Sequence, residues 1–391
     1  VTGRRHYLDH ASTTPLRPSV RRAMAQWLEE AGGGGGVGDP GRVHEEGHRA
    51  RGVVESARET VAGFLGTEPS RVIFTSGATE AANTAVFSSA ALRPGAPLAC
   101  AGVEHSCVRE ACRRAGHVLE IAVDASGRLL VEALAELMAA ERPALVNCQF
   151  ANHEVGTLQP VAEVAGLCRQ AGVAVHCDAA AAVGHLPVSF RELEVDFMSV
   201  SAHKFGGPPG IGALVVRRGM RLTPLLVGGS EERARRAGAE NVLGIVGFAA
   251  ACEELSAERL AGEAAAASEQ TRRLSAAATS VGDVTTLGAA DHRLPHIVCM
   301  NVADVLGEAI LLSLDRAGIA AHSGSACSSE VLEPSPVLAA MGADPDRSLR
   351  LSVGWSTTDE DIAAFRASFP GVLDGLRSLM SDSARPAPAA T

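Results

Sequence analysis

Residues 173–204, VAVHCDAAAAVGHLPVSFRELEVDFMSVSAHK, decide the fold. Two short apolar runs, 173–177 and 197–200, are too brief for helices and read as buried strands. The first ends at Asp178, and the second leads into Ser201, His203 and Lys204, so a carboxylate and an amine reach one rim of the sheet. In open parallel sheets, ligands bind beyond the carboxyl ends of the strands, which makes this rim the first place to look for chemistry.

The same rhythm continues outward in both directions. Further strand-like runs lie at 71–76, 144–150 and 213–216, and helical segments such as 160–171 separate them. Residues 47–66 set Ala50, Val53, Val54, Ala57, Val61 and Leu65 along one helical stripe. This alternation predicts an α/β chain with a mainly parallel sheet flanked by helices. An alanine-rich helical stretch, 256–280, separates it from about a hundred further residues. The expected division is a large domain, 15–256, and a smaller α+β domain built from 1–14 and 257–380. The glycine run 32–36 reads as a surface loop and 381–391 as a disordered tail.

With 391 residues, 46% of them apolar and 20% charged, the chain is long enough for two domains and too apolar for wholesale disorder. No apolar run reaches the length of a transmembrane helix. A net charge of −10 disfavours nucleic acid and anionic membranes as partners. Nine scattered cysteines without paired spacing suggest a reducing compartment, and the N-terminus has no secretory apolar core, so the cytoplasm is expected. Among 35 basic residues the only lysine is Lys204. A guanidinium can neither lose its proton nor form an imine, whereas a lysine amine can do both, so Lys204 stands where arginine cannot serve.

At the rim, strand 71–76 delivers Gly77, Ala78 and Thr79 to a helix N-terminus, whose free N–H groups and dipole suit a phosphate. An ordinary cap at Thr79 explains that feature equally well, as a cap would Asp178 and a core position His203. Taken together, an amine, an acid and phosphate donors match the needs of pyridoxal phosphate.

These residues lie in segments that resemble the cysteine desulfurases, pyridoxal-phosphate enzymes of fold-type I in the class V aminotransferase group. YLDHASTTP, HEEGHRAR, VIFTSGATEAAN, EHSCV, ANHEVGTLQP, HCDAAAAVG, SAHKFGGPPGIGAL, GGSEERARRAGAENV, SGSACSSEVLEPS and LRLSVGWSTTDEDI follow in family order from Tyr7 to about Ile362. The resemblance implies that Lys204 holds the cofactor and moves protons at the substrate. It implies that Asp178 pairs with the pyridinium nitrogen, that His105 stacks on the ring, and that Ala78, Thr79, Ser201 and His203 bind the phosphate. Arg350 would grip the substrate α-carboxylate, with Asn152 as a further substrate contact, and Cys327 would attack the substrate sulfur. L-cysteine would become L-alanine, leaving a persulfide on Cys327 for a sulfur-acceptor protein. A homodimer with sites completed across the interface is also implied. Within SGSACSSE no group activates the thiol, so His322 is the candidate base, with a plain surface residue as its competing reading.

Several positions depart from the family. His153 and Ala181 stand where an asparagine and a glutamine contact the cofactor's phenolic oxygen, and His153 is read as replacing both. Ala239 replaces a threonine that reaches the partner's phosphate, a loss of about 1–2 kcal/mol. Trp355, Pro209, His10 and Asp39 are also unusual. Cys148, Cys168, Cys177 and Cys299 read as core residues, and Cys107 with Cys112 lacks the further ligands of a metal site. His44, Glu45 and His48 match a zinc-protease pattern, but Gly47 weakens the helix and no third ligand follows, so no metal is expected. The competing enzyme reading is a lyase or aminotransferase for another amino acid, selenocysteine included, with Cys327 dispensable. A non-catalytic scaffold is disfavoured because Lys204 and Asp178 are both present.

Overall fold

The structure, a computed structural model, describes residues 4–29, 37–323, 326–327 and 332–383. Its strands are β1 (His6–Tyr7), β2 (Val72–Thr75), β3 (Leu98–Ala101), β4 (Val118–Ile121), β5 (Leu145–Asn147), β6 (Ala174–Asp178) and β7 (Phe197–Ser201). They continue with β8 (Gly212–Val216), β9 (Val284–Leu287), β10 (Ile297–Val302), β11 (Ile319–Ala320), β12 (Ala326–Cys327), β13 (Leu332–Glu333) and β14 (Ser348–Ser352). Seven of them form the central sheet, in the order β2-β8-β7-β6-β5-β3-β4. β8 alone runs against its neighbours β2 and β7, and the other pairs are parallel. The fold is therefore the expected α/β architecture.

Successive strand residues enter two different cores because side chains alternate across a pleated strand. Ala99, Val146, Met198, Val200, Ala213 and Val215 pack on one face. Leu98, Cys100, Leu145, Phe197 and Leu214 pack on the other with Ala81, Ala85 and Val86 of helix Ala78–Leu92. Both faces are covered, so the strands read as continuous apolar runs rather than alternating ones. β3 and β4 were not among the sequence-derived strands. β3 is four residues long and closely framed by Pro97 and Gly102, and β4, at the sheet edge, is largely half-buried.

A third core gathers Leu8, Met300, Ile310, Leu314, Leu349, Phe365 and Phe369 around the antiparallel sheet β14-β10-β9. Helices Ala257–Thr279, Gly307–Arg316 and Asp359–Ser383 cover it. β1 pairs in parallel with β11, and Asp9 bridges to Ser352, so the N-terminal segment is stitched to this unit. The same segment then crosses to the large sheet, where buried Arg17 donates Nε to Phe205 O at 2.8 Å. The last helix runs through Ser383, into the stretch read as a tail, because Phe365, Phe369 and Leu373 anchor its inner face. The loop 32–36 and residues 384–391 lie outside the described residues.

Helix Glu45–Phe64 is locked to the sheet by a buried ion pair. Arg58 donates Nη1 and Nη2 to the two oxygens of Glu232, at 2.7 and 2.8 Å, and Glu232 also accepts Phe74 N–H at 3.1 Å. To reach that position Glu232, Arg233 and Ala234 adopt positive φ, between 47° and 60°. Breaking a buried pair by removing one partner typically costs about 3–5 kcal/mol, an upper bound here because Arg58 Nε also meets the half-exposed Glu55 carboxylate at 3.1 Å. Glu232→Ala is therefore expected to lower the urea unfolding midpoint by a corresponding amount with an unchanged slope, and an unaltered midpoint would show that the pair carries no net stability.

Candidate active site

Beyond the carboxyl ends of the central strands lies a cavity of about 360 Å³. One wall is the turn into helix Ala78–Leu92. Gly77 occupies the N-cap and, among the described residues, no side chain caps this helix, so its first N–H groups remain available to an anion. The turn sits tightly on β8: a Cβ on Gly212 would fall 2.7 Å from Gly77 Cα and 2.3 Å from Val200 O. Ala78 and Thr79 line this wall, and Ser201 and His203 line the cavity from the end of β7 and the turn after it. His203 Nδ1 meets Thr13 Oγ1 at 3.2 Å, and burial, then the Lys204 charge, bring its imidazole down to about 4.

Lys204 follows one residue later. Its Nζ donates to Ala11 O and Ser12 O of the N-terminal segment and to no carboxylate among the described residues. Burial, reinforced by the Arg350 cation, lowers its ammonium to about 8. Asp178, the last residue of β6, lines the same cavity and accepts Ser199 Oγ at 2.9 Å and Ala180 N at 3.0 Å. His105 caps helix Ser106–Ala115 by accepting Cys107 N–H at Nδ1, 3.2 Å, which leaves Nε2 as the protonated nitrogen of its neutral ring. Burial, followed by His153, holds this imidazole down at about 4.

His153 meets His105 edge to face, with centroids 4.8 Å apart. Its Nε2 lies 3.5 Å from Glu154 Oε1, while Nδ1 is buried without a partner among the described residues. Burial and the Arg350 charge bring its imidazole to about 3. Ala181 lines the cavity too, as its small side chain leaves room on that wall.

A second cavity of about 310 Å³ adjoins the first, and His105, His153 and Lys204 line both. Arg350, on β14, donates Nη2 to Asp9 Oδ1 and Ser12 Oγ, both at 2.8 Å, and Nη1 to His153 O at 3.0 Å. Its Nε is buried and without a partner among the described residues. Glu104, Arg109 and Glu154 complete the polar wall, and burial drives the Glu154 carboxyl up to about 7 while Ser335 donates to it at 2.6 Å. The sequence held no signal for Asp9, Glu104, Arg109 or Glu154, since each is an isolated polar residue that tertiary packing brings to the site.

Asn152 is the exception among the sequence-derived residues. It is fully buried, accepts Glu154 N and Val155 N at 2.8 Å each, and donates Nδ2 to Val103 O at 3.0 Å. It shapes the turn that presents His153 and does not line either cavity, so its observed bonds are to the backbone. Cys327 lies in the short antiparallel pair β12–β13, opposite Leu332. The placement of its thiol lies outside the described residues, but the chain on either side, at His322 and Pro336, lines the second cavity. His322 is half-buried, pairs its backbone with Arg350, and has its imidazole lowered by burial and the Arg350 charge. Cys148, Cys168, Cys177 and Cys299 are buried in the cores. His44 caps helix Glu45–Phe64, its Nδ1 accepting Gly47 N–H at 3.2 Å and its carbonyl accepting His48 N–H at 3.0 Å, so one ring nitrogen is engaged by the backbone of the turn it shares with His48.

Residues 6–365 match the family model described as aminotransferase class-V. A cysteine desulfurase of Enterobacter agglomerans is 39% identical over 382 residues, covering 95% of this chain and 94% of that protein. The cysteine desulfurase IscS of Dictyoglomus turgidum is 36% identical over 387 residues, covering 95% of each. A solved NifS-like protein superposes with a TM-score of 0.86 at 31% identity, covering 95% of this chain and 100% of that one. With its mainly parallel sheet and its single lysine at the rim, the chain belongs to the class V aminotransferase family, among the cysteine desulfurases.

Proposed function

We propose that the chain is a pyridoxal-phosphate-dependent cysteine desulfurase that converts L-cysteine to L-alanine and leaves a persulfide on Cys327. The observation that carries this reading is the only lysine of the chain, desolvated at the junction of two polar cavities and opposed by Asp178. The donor set fits the cofactor. The uncapped turn at Ala78 and Thr79, with Ser201 and His203, would hold its phosphate, Asp178 would face its ring nitrogen, and His105 would lie against the ring. The orphaned Nδ1 of His153 supplies a hydrogen-bonding atom for the phenolic oxygen. When bound, pyridoxal phosphate supplies an electron sink for bond breaking at the substrate's α and β carbons.

The chain's own groups account for the rest. Lys204 Nζ, with a pKa near ambient pH, can give up and recover a proton, as general acid–base work requires. Asp9 and Ser12 fix the orientation of Arg350, which would hold the substrate α-carboxylate through the edge that carries the unpartnered Nε. Cys327 then takes the sulfur: L-cysteine and the thiol become L-alanine and the persulfide, with no further reactant. From the persulfide, sulfur passes to an acceptor protein. We infer a cytoplasmic homodimer, supported by exposed Leu226 and Val227 beside the 228–241 segment and by free thiols at the eight other cysteines.

The deciding experiment measures sulfide and alanine released in parallel from L-cysteine by cofactor-loaded protein with a reductant. Equal release is expected, lost in Cys327→Ser and reduced about 10²–10⁴-fold in Lys204→Ala. Undiminished turnover in Cys327→Ser would establish lyase chemistry instead. In cofactor-free protein the rate of pyridoxal-phosphate uptake should rise with pH and level off above about 8, because only the unprotonated amine of Lys204 reacts. A rate still climbing at pH 10 would mean that Lys204 titrates like an exposed lysine. His153→Ala is expected to shift both the visible absorbance of loaded protein and its pH midpoint, and unchanged spectra would remove His153 from the cofactor contacts.

A further inference from the structure

Helix Ser106–Ala115 opens on the wall of the second cavity, which Ser106 and Arg109 both line. Three residues apart on a helix, the two share a face. Of the first four N–H groups, that of Cys107 goes to His105 Nδ1 and those of Val108 and Arg109 to His105 O, which leaves the N–H of Ser106. The hydroxyl of Ser106, exposed at the cavity, has no partner among the described residues. The dipole of this ten-residue helix adds partial positive charge at the same place.

Arg109 brings a full charge to that face. It is only 9% exposed, its Nη1 donates to Gly102 O at 3.2 Å, and its Nε is buried without a partner among the described residues. No carboxylate pairs with it there. A guanidinium cannot shed its proton, so a buried one left unmatched bears the cost of desolvating a cation. Two carboxyls line the same cavity, but each is turned to another group: Glu104 accepts Gln149 N–H at 2.7 Å, and Glu154 accepts the Ser335 hydroxyl. Burial drives both upward, toward their neutral forms, and Asp9 is already bound to Arg350. Lys204 and Arg350 add further positive charge to these walls. The cavity thus presents unmatched positive charge at the start of a helix, a setting that selects an anion.

We infer that Ser106 and Arg109 form an oxyanion subsite, separate from Arg350, that takes a carboxylate or sulfonate group. The group arrives either as the side chain of an acidic amino acid or as a free anion. A guanidinium offers such a group parallel N–H donors, and Ser106 adds its N–H and hydroxyl. With Arg350 on the α-carboxylate, an amino acid with a second acidic group would engage both cations of one cavity of about 310 Å³. The uncharged side chain of L-cysteine has no use for the second cation. Acidic amino acids are therefore a further ligand class, and they compete with L-cysteine without any bond being formed or broken. The role given to Arg350 rests on the proposed function, whereas the charge at Arg109 does not.

L-aspartate and L-asparagine, alike in size and different in charge, provide the test. In full-length protein loaded with pyridoxal phosphate, with binding read from the change in visible absorbance, L-aspartate is expected to bind about tenfold more tightly. Arg109→Leu should bring the two affinities together, and Arg109→Lys should restore part of the gap. Equal affinities in wild type, or a gap that survives Arg109→Leu, overturn the inference. Sodium sulfate at constant ionic strength separates the sources once the gap is established. Displacement of L-aspartate but not of L-asparagine shows that a free anion also occupies the subsite, and displacement of neither assigns it to the side-chain acid alone. A chain that took up no cofactor would defeat the functional reading. Cofactor-free protein would still decide the subsite: L-aspartate should raise the unfolding temperature of wild type more than L-asparagine does, and equal rises overturn the inference.

Discussion

The desolvation of one ammonium organises the structure around it. Lys204 is held by two backbone carbonyls, Ala11 O and Ser12 O, rather than by a carboxylate. A neutralising acid at hydrogen-bonding distance would raise its pKa, whereas carbonyl dipoles in a low-dielectric setting leave it near ambient pH. Those carbonyls exist at that place only because the N-terminal segment is fastened at both ends. Asp9 bonds Arg350, Ala11 N–H donates to Ser352 Oγ at 2.8 Å, and Arg17 bonds Phe205 O just past the lysine. The small antiparallel unit thus sets the environment of a residue on the large sheet.

Much of this was legible in the sequence, for identifiable reasons. The strands 174–178 and 197–201 are buried on both faces, so their composition is strongly apolar, and the polar residues that end them stand out. Lys204 stands out further against an arginine-only background. β3 and β4 escaped notice because tertiary pairing, not pattern, makes four-residue segments into strands. The turn that holds Asn152 was not legible for a related reason. Its neighbour His153 lines the cavity, whereas the turn geometry commits both lone pairs of Asn152 Oδ1 to Glu154 and Val155 N–H and one amide N–H to Val103 O. No pattern of spacing reports which of two adjacent polar residues the backbone consumes.

The site's electrostatics follow from the same packing. His105, His153 and His203 are all pushed well below the usual histidine range, with burial as the leading cause. Neutral rings suit a place that already concentrates the Lys204 and Arg350 charges, because each further cation would raise the cost of keeping both. Glu154, driven up toward neutrality, marks the reverse case, a carboxyl too buried to remain readily ionised.

Histidine recurs on the far side of the lysine, where it acts on the backbone instead. His185 Nε2 lies 3.1 Å from Lys204 O, and its ring stacks on His296 with centroids 3.5 Å apart and planes inclined by 15°. Both imidazoles are lowered by burial, so they pack as uncharged plates and do not repel one another. Nε2 must then be the protonated nitrogen of His185, since a carbonyl oxygen only accepts. This bond fixes the Lys204 peptide from behind while Ala11 and Ser12 fix the amine in front. The side chain is held at both ends, so its direction across the cavity does not depend on a bound ligand, and the order needed for a reaction at Nζ is already present in the folded chain.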